Sequence, residues 1–251
     1  MARKIAVAMR KGGSGKTTTT VNLAAALALR GRRTLLIDLD PQANATAAVG
    51  INPLEAQLHI DNLLADPSID PHKAFYTSSY GLTILPSHVD LAKLESGMKA
   101  TDVHALESLL EPLLDEFDYI VVDTPPSESM LTASALTFAD EIIIPLQAHY
   151  FAMEGLAQAM EQIEKVKQGL NKNIRVVGIL PTMVNARTNI AKTVIDAASQ
   201  SYPELVYPFA VDYSVRHPEA SLAGVPIVVY EENHNGAVAY KKLAEAIDGQ
   251  A

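Results

Sequence analysis

The sequence predicts an α/β fold, a mostly parallel, twisted β-sheet flanked by helices on both faces. Three observations predict it. Short apolar runs bounded by turn residues recur at 5–9, 34–38, 119–123, 141–146 and 175–181. They are apolar at consecutive rather than alternate positions, as strands buried on both faces are. Between them lie segments with apolar residues at helical spacing, so the repeating unit is strand, helix, strand, with the strands parallel and the crossover right-handed. Finally, the glycine-rich stretch Arg10-Lys11-Gly12-Gly13-Ser14-Gly15-Lys16-Thr17-Thr18 joins the first strand to the first helix. In an open parallel sheet that is the end where ligands bind.

The elements follow in order. The apolar run 5–9 is a buried strand and 21–29 a helix, stopped by Gly31. Residues 34–38 form the second strand. Residues 43–75 read as irregular surface structure, with a short helix at 61–65 ended by Asp66-Pro67. A short strand at 82–85 precedes helices at 88–98 and 104–115, the second with Leu106, Leu109, Leu110, Leu113 and Leu114 at core-facing spacing. Strand 119–123 leads to helix 127–139, strand 141–146 and an amphipathic helix, 151–167, with Glu161 and Lys165 one turn apart. The remainder reads as strand 175–181, helix 189–200, a strand near 205–211, a loop at 212–224, a strand at 225–229 and a helix over 236–247. With no internal repeat, low-complexity tract or linker, the simplest organisation is one domain over residues 1–251.

Composition narrows the function classes. At 48% hydrophobic residues the chain can build a full core. It has no cysteine, which excludes disulfides, thiolate metal sites and cysteine-held iron–sulfur clusters and fits a reducing cytoplasm. No apolar run reaches the roughly 20 residues of a membrane span, and the start of the chain reads as strand rather than signal peptide. The net charge of −9 argues against a bulk nucleic-acid binder but leaves room for a local basic patch. The histidines at 59, 72, 88, 104, 149, 217 and 234 show no metal-ligand spacing along the chain.

The glycine-rich stretch carries the chemistry. Strand, flexible loop and helix N-terminus together form a phosphate cradle. Lys16 is placed to meet β- and γ-phosphates and Thr17 to offer a hydroxyl to Mg²⁺. The strict P-loop pattern fails at Arg10, where it needs glycine; Lys-Gly-Gly-x-Gly-Lys-Thr, with Lys11 at its start, fits instead. The second strand runs into Asp38-Leu39-Asp40-Pro41-Gln42, bringing two carboxylates to the phosphate side, either as chemistry or as a cap and turn. The apolar run ending in Asp123 has the Walker B form, whose carboxylate serves Mg²⁺. Asn185, at another strand end, reads either as an adenine contact or as a turn former.

Six stretches together resemble the small ParA/Soj-type partition ATPases of the ParA/MinD superfamily, P-loop NTPases with a deviant Walker A box. They are 11–18, 38–44 (DLDPQAN), 123–126, 150–158 (YFAMEGLAQ), 182–189 (TMVNARTN) and 215–226 (VRHPEASLAGVP). The resemblance implies ATP and Mg²⁺ as cofactors. It implies nucleotide contacts from Lys11, Gly12, Gly13, Ser14, Gly15, Lys16, Thr17, Thr18, Asn185, Asp212 and Ser214, with Thr17, Asp38 and Asp123 on the metal side. Lys11 would reach across an ATP-dependent homodimer to the partner's phosphates, with Gly12 at the interface, and Asp40 would position the attacking water. Arg187 and Arg216 would bind double-stranded DNA of the nucleoid without sequence preference, and a ParB-like activator or cargo adaptor would set a slow hydrolytic clock. The chain departs from the family in three places: Met9-Arg10 where Asn-Gln is common, Val211-Asp212-Tyr213-Ser214 where Ile-Pro-Arg-Asn is common, and Pro218-Glu219-Ala220-Ser221 in the following turn.

The implied location is cytoplasmic and nucleoid-associated, with no membrane. A MinD-like membrane cycle is the alternative. It calls for a terminal amphipathic helix rich in lysine and large apolar residues. Residues 237–251 are instead alanine-rich, and their only lysines are Lys241 and Lys242.

Overall fold

A computed structural model describes residues 1–185 and 187–249. Its elements in chain order are β1 (Arg3–Val7), α1 (Lys16–Leu29), β2 (Thr34–Asp38), α2 (Asn44–Ala48), α3 (Ile60–Ala65), β3 (Tyr76–Thr77), β4 (Leu82–Leu85), α4 (Leu91–Gly97), α5 (Ala105–Leu110), β5 (Tyr119–Asp123), α6 (Met130–Phe138), β6 (Glu141–Gln147), α7 (Ala152–Gly169), β7 (Arg175–Thr182), α8 (Asn189–Ser201), α9 (Arg216–Leu222), α10 (Ile227–Tyr230) and α11 (Asn235–Asp248). The strands form one seven-stranded sheet in the order β3-β4-β2-β5-β1-β6-β7. All its pairings are parallel except β3 with β4 at the edge.

Strand alternation divides the core in two. On one face Ile5, Val7, Leu36, Tyr119, Val121 and Ile143 pack with Val21, Leu23 and Leu27 of α1 and with Tyr240, Leu243 and Ile247 of α11. On the other, Ala6, Leu35, Ile37, Ile120, Val122 and Ile144 pack with α3 through α8, including Leu63, Leu110, Leu136 and Leu156. Burial on both faces is why these strands read as continuous apolar runs. Helices on both faces of a mostly parallel sheet are the architecture the sequence predicts.

The expected elements shift in identifiable places. Helix 104–115 divides into α5 and a 3₁₀ turn, Glu111–Leu113, with Pro112 at the break. Residues 43–75 are not simply surface: α2 buries Ala45 and Thr46, and α3 buries Ile60 and Leu63. Residues 205–211 form no strand and contribute one parallel bridge, Val206 to Ile179. The expected loop 212–224 contains α9, and the expected strand 225–229 is the helix α10. Pro226 precedes that helix, and Ile227 and Val228 are buried against the core that holds α1. Packing on a helix thus overrides the strand preference of a β-branched run.

Candidate nucleotide and metal site

The glycine-rich loop sits between β1 and α1, and its backbone conformation explains its composition. Gly13 has φ 71° and Gly15, the N-cap of α1, has φ 91°, values that a side chain disfavours. The 14-residue helix α1 begins with no side-chain cap and no acidic residue in its first turn. Its free N–H groups therefore face the loop and suit an anion. Thr182 Oγ1 at the end of β7 donates to Ser14 O (2.9 Å), which fixes the loop from the far side. Ser14 Oγ is buried without a hydrogen-bond partner.

Lys16 is only 6% exposed, and its Nζ donates to Lys11 O at 3.3 Å. Burial pulls its pKa down, opposed by Asp123 and then Asp40. Among the described residues Lys11 makes no ion pair, whereas its neighbour Arg10 pairs with Glu128 at 3.0 Å. The two lysines of the motif thus stand differently: one is buried in the cradle, the other half-exposed with its charge uncommitted.

Asp38 and Asp123 are direct neighbours in the β2–β5 register and both are fully buried. Thr17 Oγ1 donates to Asp123 Oδ2 (2.8 Å), while Thr20 Oγ1 lies 2.9 Å from Asp123 Oδ1. Asp38 accepts from Thr46 N (2.8 Å), Thr46 Oγ1 (2.7 Å) and Asp40 N (3.1 Å). Both carboxyls are pushed above the ordinary carboxylate range. Burial is the main cause in each; for Asp123 repulsion from Asp38 is next, and for Asp38 the bonds from Thr46 pull the other way.

This donor set fits Mg²⁺. It is all oxygen, two carboxylates and a hydroxyl, beside a cradle for anionic oxygens. Because Thr17 gives its proton to Asp123, its lone pairs remain for a cation.

Asp40 lies on the wall of a cleft of about 690 Å³ that runs from Gly12, Lys16 and Thr17 to Met183, Asp212 and His217. Asp40 Oδ1 accepts from Gln42 N (2.9 Å), and among the described residues its other carboxylate oxygen makes no hydrogen bond. The turn carrying it is held from outside: Ser87 Oγ donates to Asp40 O (2.8 Å), and Ser87 N donates to Thr46 Oγ1 (3.0 Å).

The far end of the cleft is less legible in the sequence. Asp212 and Ser214 line it, as does His217. Asp212 Oδ1 and both ring nitrogens of His217 are buried without partners. Gly236 makes room for that ring, since a Cβ there would come 2.5 Å from His217 Cε1. Asn185 does not line the cleft. Its side-chain oxygen accepts from Arg187 N (3.1 Å) and its carbonyl from Thr188 N (3.0 Å), so it is a turn former in this structure. Arg187 is exposed next to Ala186, which lies outside the described residues. Arg216 is held between Glu219 (2.7 Å) and Glu231 (2.8 Å). Thr20, Thr46 and Ser87 carry site geometry from outside every motif, and His217, although within the 215–226 stretch, carries no sequence mark of a site residue; only the fold brings them together.

Comparison with known proteins agrees with this geometry. A model of the AAA domain family matches residues 2–176. Soj, the sporulation initiation inhibitor protein of Bacillus subtilis, is 38% identical over 251 residues, covering 98% of both chains. The chromosome partitioning protein ParA of Myxococcus xanthus is 38% identical over 249 residues, 98% of this chain and 88% of that one. Among solved structures, cobyrinic acid a,c-diamide synthase from Mycobacterium smegmatis with bound ADP and magnesium superposes with a TM-score of 0.85 at 33% identity, covering 98% of this chain and 94% of that one. The cell division ATPase MinD of Pyrococcus furiosus superposes with a TM-score of 0.83 at 26% identity over the full length of both chains. A deviant P-loop with two lysines, paired acids at adjacent strand ends and near full-length relatives place this chain in the ParA/Soj family of P-loop ATPases, enzymes that use ATP and Mg²⁺.

Proposed function

We propose that the chain is a DNA-positioned ATPase that dimerises around ATP and moves or segregates a large cargo such as a chromosome or plasmid. The observation that carries this reading is the contrast between the two lysines. Lys16 serves its own cradle from a buried position. Lys11 stands half-exposed next to Gly12 at the rim of the cleft, with no acidic partner among the described residues. A second copy, facing this one, would receive that charge at its phosphates.

Within one copy, the loop N–H groups and Lys16 hold the phosphates, and Asp40 offers an unspent carboxylate oxygen to orient water. Thr17, Asp123 and Asp38 hold Mg²⁺, which when bound supplies neutralisation of the phosphate charge. Asp38 also shapes the turn that presents Asp40, through its bonds to Asp40 N and Thr46. Phosphoryl transfer depends mainly on positioning and charge. A lysine shared between subunits therefore makes hydrolysis conditional on dimerisation, and a ParB-like partner would set its rate. DNA contact falls to Arg187, with Lys192 in the first turns of α8 beside it in sequence, and to Arg216 once its acidic partners let go.

The relatives include MinD, but α11 buries Tyr240, Leu243, Ala244 and Ile247 against α1, so its apolar face is committed to the core rather than to a membrane. No helix among the described residues is long and apolar enough to cross a membrane.

Light scattering with a non-hydrolysable ATP analogue, with ADP and without nucleotide tests the reading, alongside DNA and liposome co-sedimentation. The wild type should double in mass and pellet with DNA only in the triphosphate state. Lys11→Ala should stay monomeric, and Asp40→Ala should persist as a dimer in ATP. An unchanged mass in all three states would sink the proposal, and liposome binding without DNA binding would favour the membrane cycle.

A further inference from the structure

The histidines show no ligand spacing in sequence, yet the fold gathers two of them with an acid. His59 precedes α3, Asp61 lies in its first turn, and His88 follows the end of β4. One potential donor atom from each lies within 4.8 Å of the others. We propose that His59, Asp61 and His88 form a binding site for a divalent transition-metal ion of the zinc class, separate from the magnesium site at the phosphates.

The hydrogen bonds around the cluster favour this use. His59 Nε2 lies 2.9 Å from Pro53 O. A carbonyl only accepts, so Nε2 carries the proton and Nδ1 keeps the lone pair; the capping box of α3 turns that lone pair toward the Asn62 backbone N–H, which an ion would displace. His88 Nδ1 accepts from Asp90 N (3.3 Å) and lies 3.2 Å from Asp90 Oδ2, and Nε2 has no partner among the described residues; an ion at Nε2 selects the tautomer in which Nδ1 donates to that carboxylate instead. Asp61 is the decisive member. It is 8% exposed, its Oδ1 is buried with no hydrogen-bond partner, and Oδ2 has only a long contact, 3.4 Å, from Asn62 Nδ2. A buried carboxylate oxygen with nothing to accept from needs an explanation, and an ion is one of the few available.

Two nitrogens and one oxygen make a borderline donor set, suited to zinc and poorly suited to magnesium. Three protein ligands leave a fourth position for water, and His88, 18% exposed at its side chain, gives the site an opening. The two rings lie nearly parallel, with centroids 4.7 Å apart, so chelation requires a turn about the ring torsion, which is broad in histidine. The other histidine cluster fails the same examination. In it His234 Nδ1 accepts from Gly236 N (3.0 Å) and Nε2 lies 3.1 Å from Ser214 Oγ, so both nitrogens are spent.

The location gives the ion something to act on. Ile60 N donates to Pro86 O (3.0 Å), and Ser87 Oγ donates to Asp40 O. An ion bridging α3 to His88 would brace the turn that holds Asp40.

The test uses the full chain, stripped with a chelator and kept in excess Mg²⁺, titrated with Co²⁺ by visible absorption and with Zn²⁺ by calorimetry. One equivalent of each should bind, with the visible bands of nitrogen- and oxygen-ligated cobalt. Asp61→Asn and His88→Gln should each weaken binding at least ~100-fold, the upper end of what losing an outer partner alone costs. Asp123→Asn should leave it unchanged. No saturable binding, undiminished binding by both ligand variants, or loss in Asp123→Asn would each overturn the proposal. Should Asp61→Asn fold poorly, His88→Gln at the open edge decides alone.

Discussion

Asp38 and Asp123 show how much of the site depends on single ionisations. Both are fully buried side by side, and both titrate above the ordinary carboxylate range. An acid weakened by folding contributes most to stability where it is protonated in both states. That contribution is lost as pH rises from the ordinary carboxylate range through the raised value. For this pair the nucleotide-free protein is favoured in mildly acid solution, and neutral pH carries a cost that Asp123→Asn should reduce. With Asp38 and Asp123 as the proposed magnesium-side acids, Mg²⁺ would reverse the preference by favouring the charged forms, so binding Mg-ADP should release protons, more in mildly acid than in alkaline buffer. Calorimetry in two buffers of different ionisation enthalpy measures this directly; equal observed heats in the two buffers would mean that the acids are already ionised. None of this is legible in the sequence beyond the acids themselves. Asp38, Asp40 and Asp123 stand at strand ends that the apolar runs mark plainly. Thr46 and Ser87, which hold Asp38 and the Asp40 turn, come from segments with no motif at all.

At the scale of elements, the sequence is readable where burial is two-sided and ambiguous where a segment is captured by a neighbour. β2, β5, β6 and the part of β1 after Arg3-Lys4 are nearly uniform apolar runs because helices cover both faces of the sheet. α10 carries the same β-branched signal over four residues, yet it is a helix. Its position depends on Asn22 of α1, whose Oδ1 accepts from Val228 N (3.2 Å) while Nδ2 donates to Thr18 O (2.8 Å). Asn22 is 3% exposed and Val228 1%, so Asn22→Ala leaves the Val228 N–H buried without that partner. The expected loss is about 1–3 kcal/mol of unfolding free energy, the usual cost of stranding a buried polar group. Urea denaturation measures it, with a weakened grip on nucleotide because α10 and α9 both border the cleft. A loss below the error of the extrapolation would show that α10 is held by its apolar contacts alone. The helix α9 escapes the sequence for a related reason: Pro218 and Gly224 punctuate a stretch that reads as loop, and only its packing on α2 and α10 makes it a helix.

For the whole molecule the proposed DNA binding poses the question of how a chain of net charge −9 would grip a polyanion. At long range two such chains repel DNA, so attraction has to come from a local patch at close approach, where each phosphate neutralised contributes a log–log salt slope of about −0.9. Arg187 is exposed, but Arg216 is already neutralised by Glu219 and Glu231. These are surface ion pairs, each weak enough to exchange for a phosphate. On the proposed reading the acids would compete with DNA for Arg216, and removing them should strengthen binding rather than merely change the charge. In the triphosphate-bound dimer, Glu219→Gln with Glu231→Gln should tighten DNA binding and steepen its salt dependence by about two, one contact per subunit. Arg187→Ala should flatten it by about the same amount. Fluorescence anisotropy on a labelled duplex across a salt series reads both slopes. If the glutamate pair leaves the slope unchanged, no further phosphate is neutralised and Arg216 stays out of the interface. If Arg187→Ala leaves the slope unchanged, the patch lies elsewhere, with the exposed Lys192 and Lys242 as the next residues to remove.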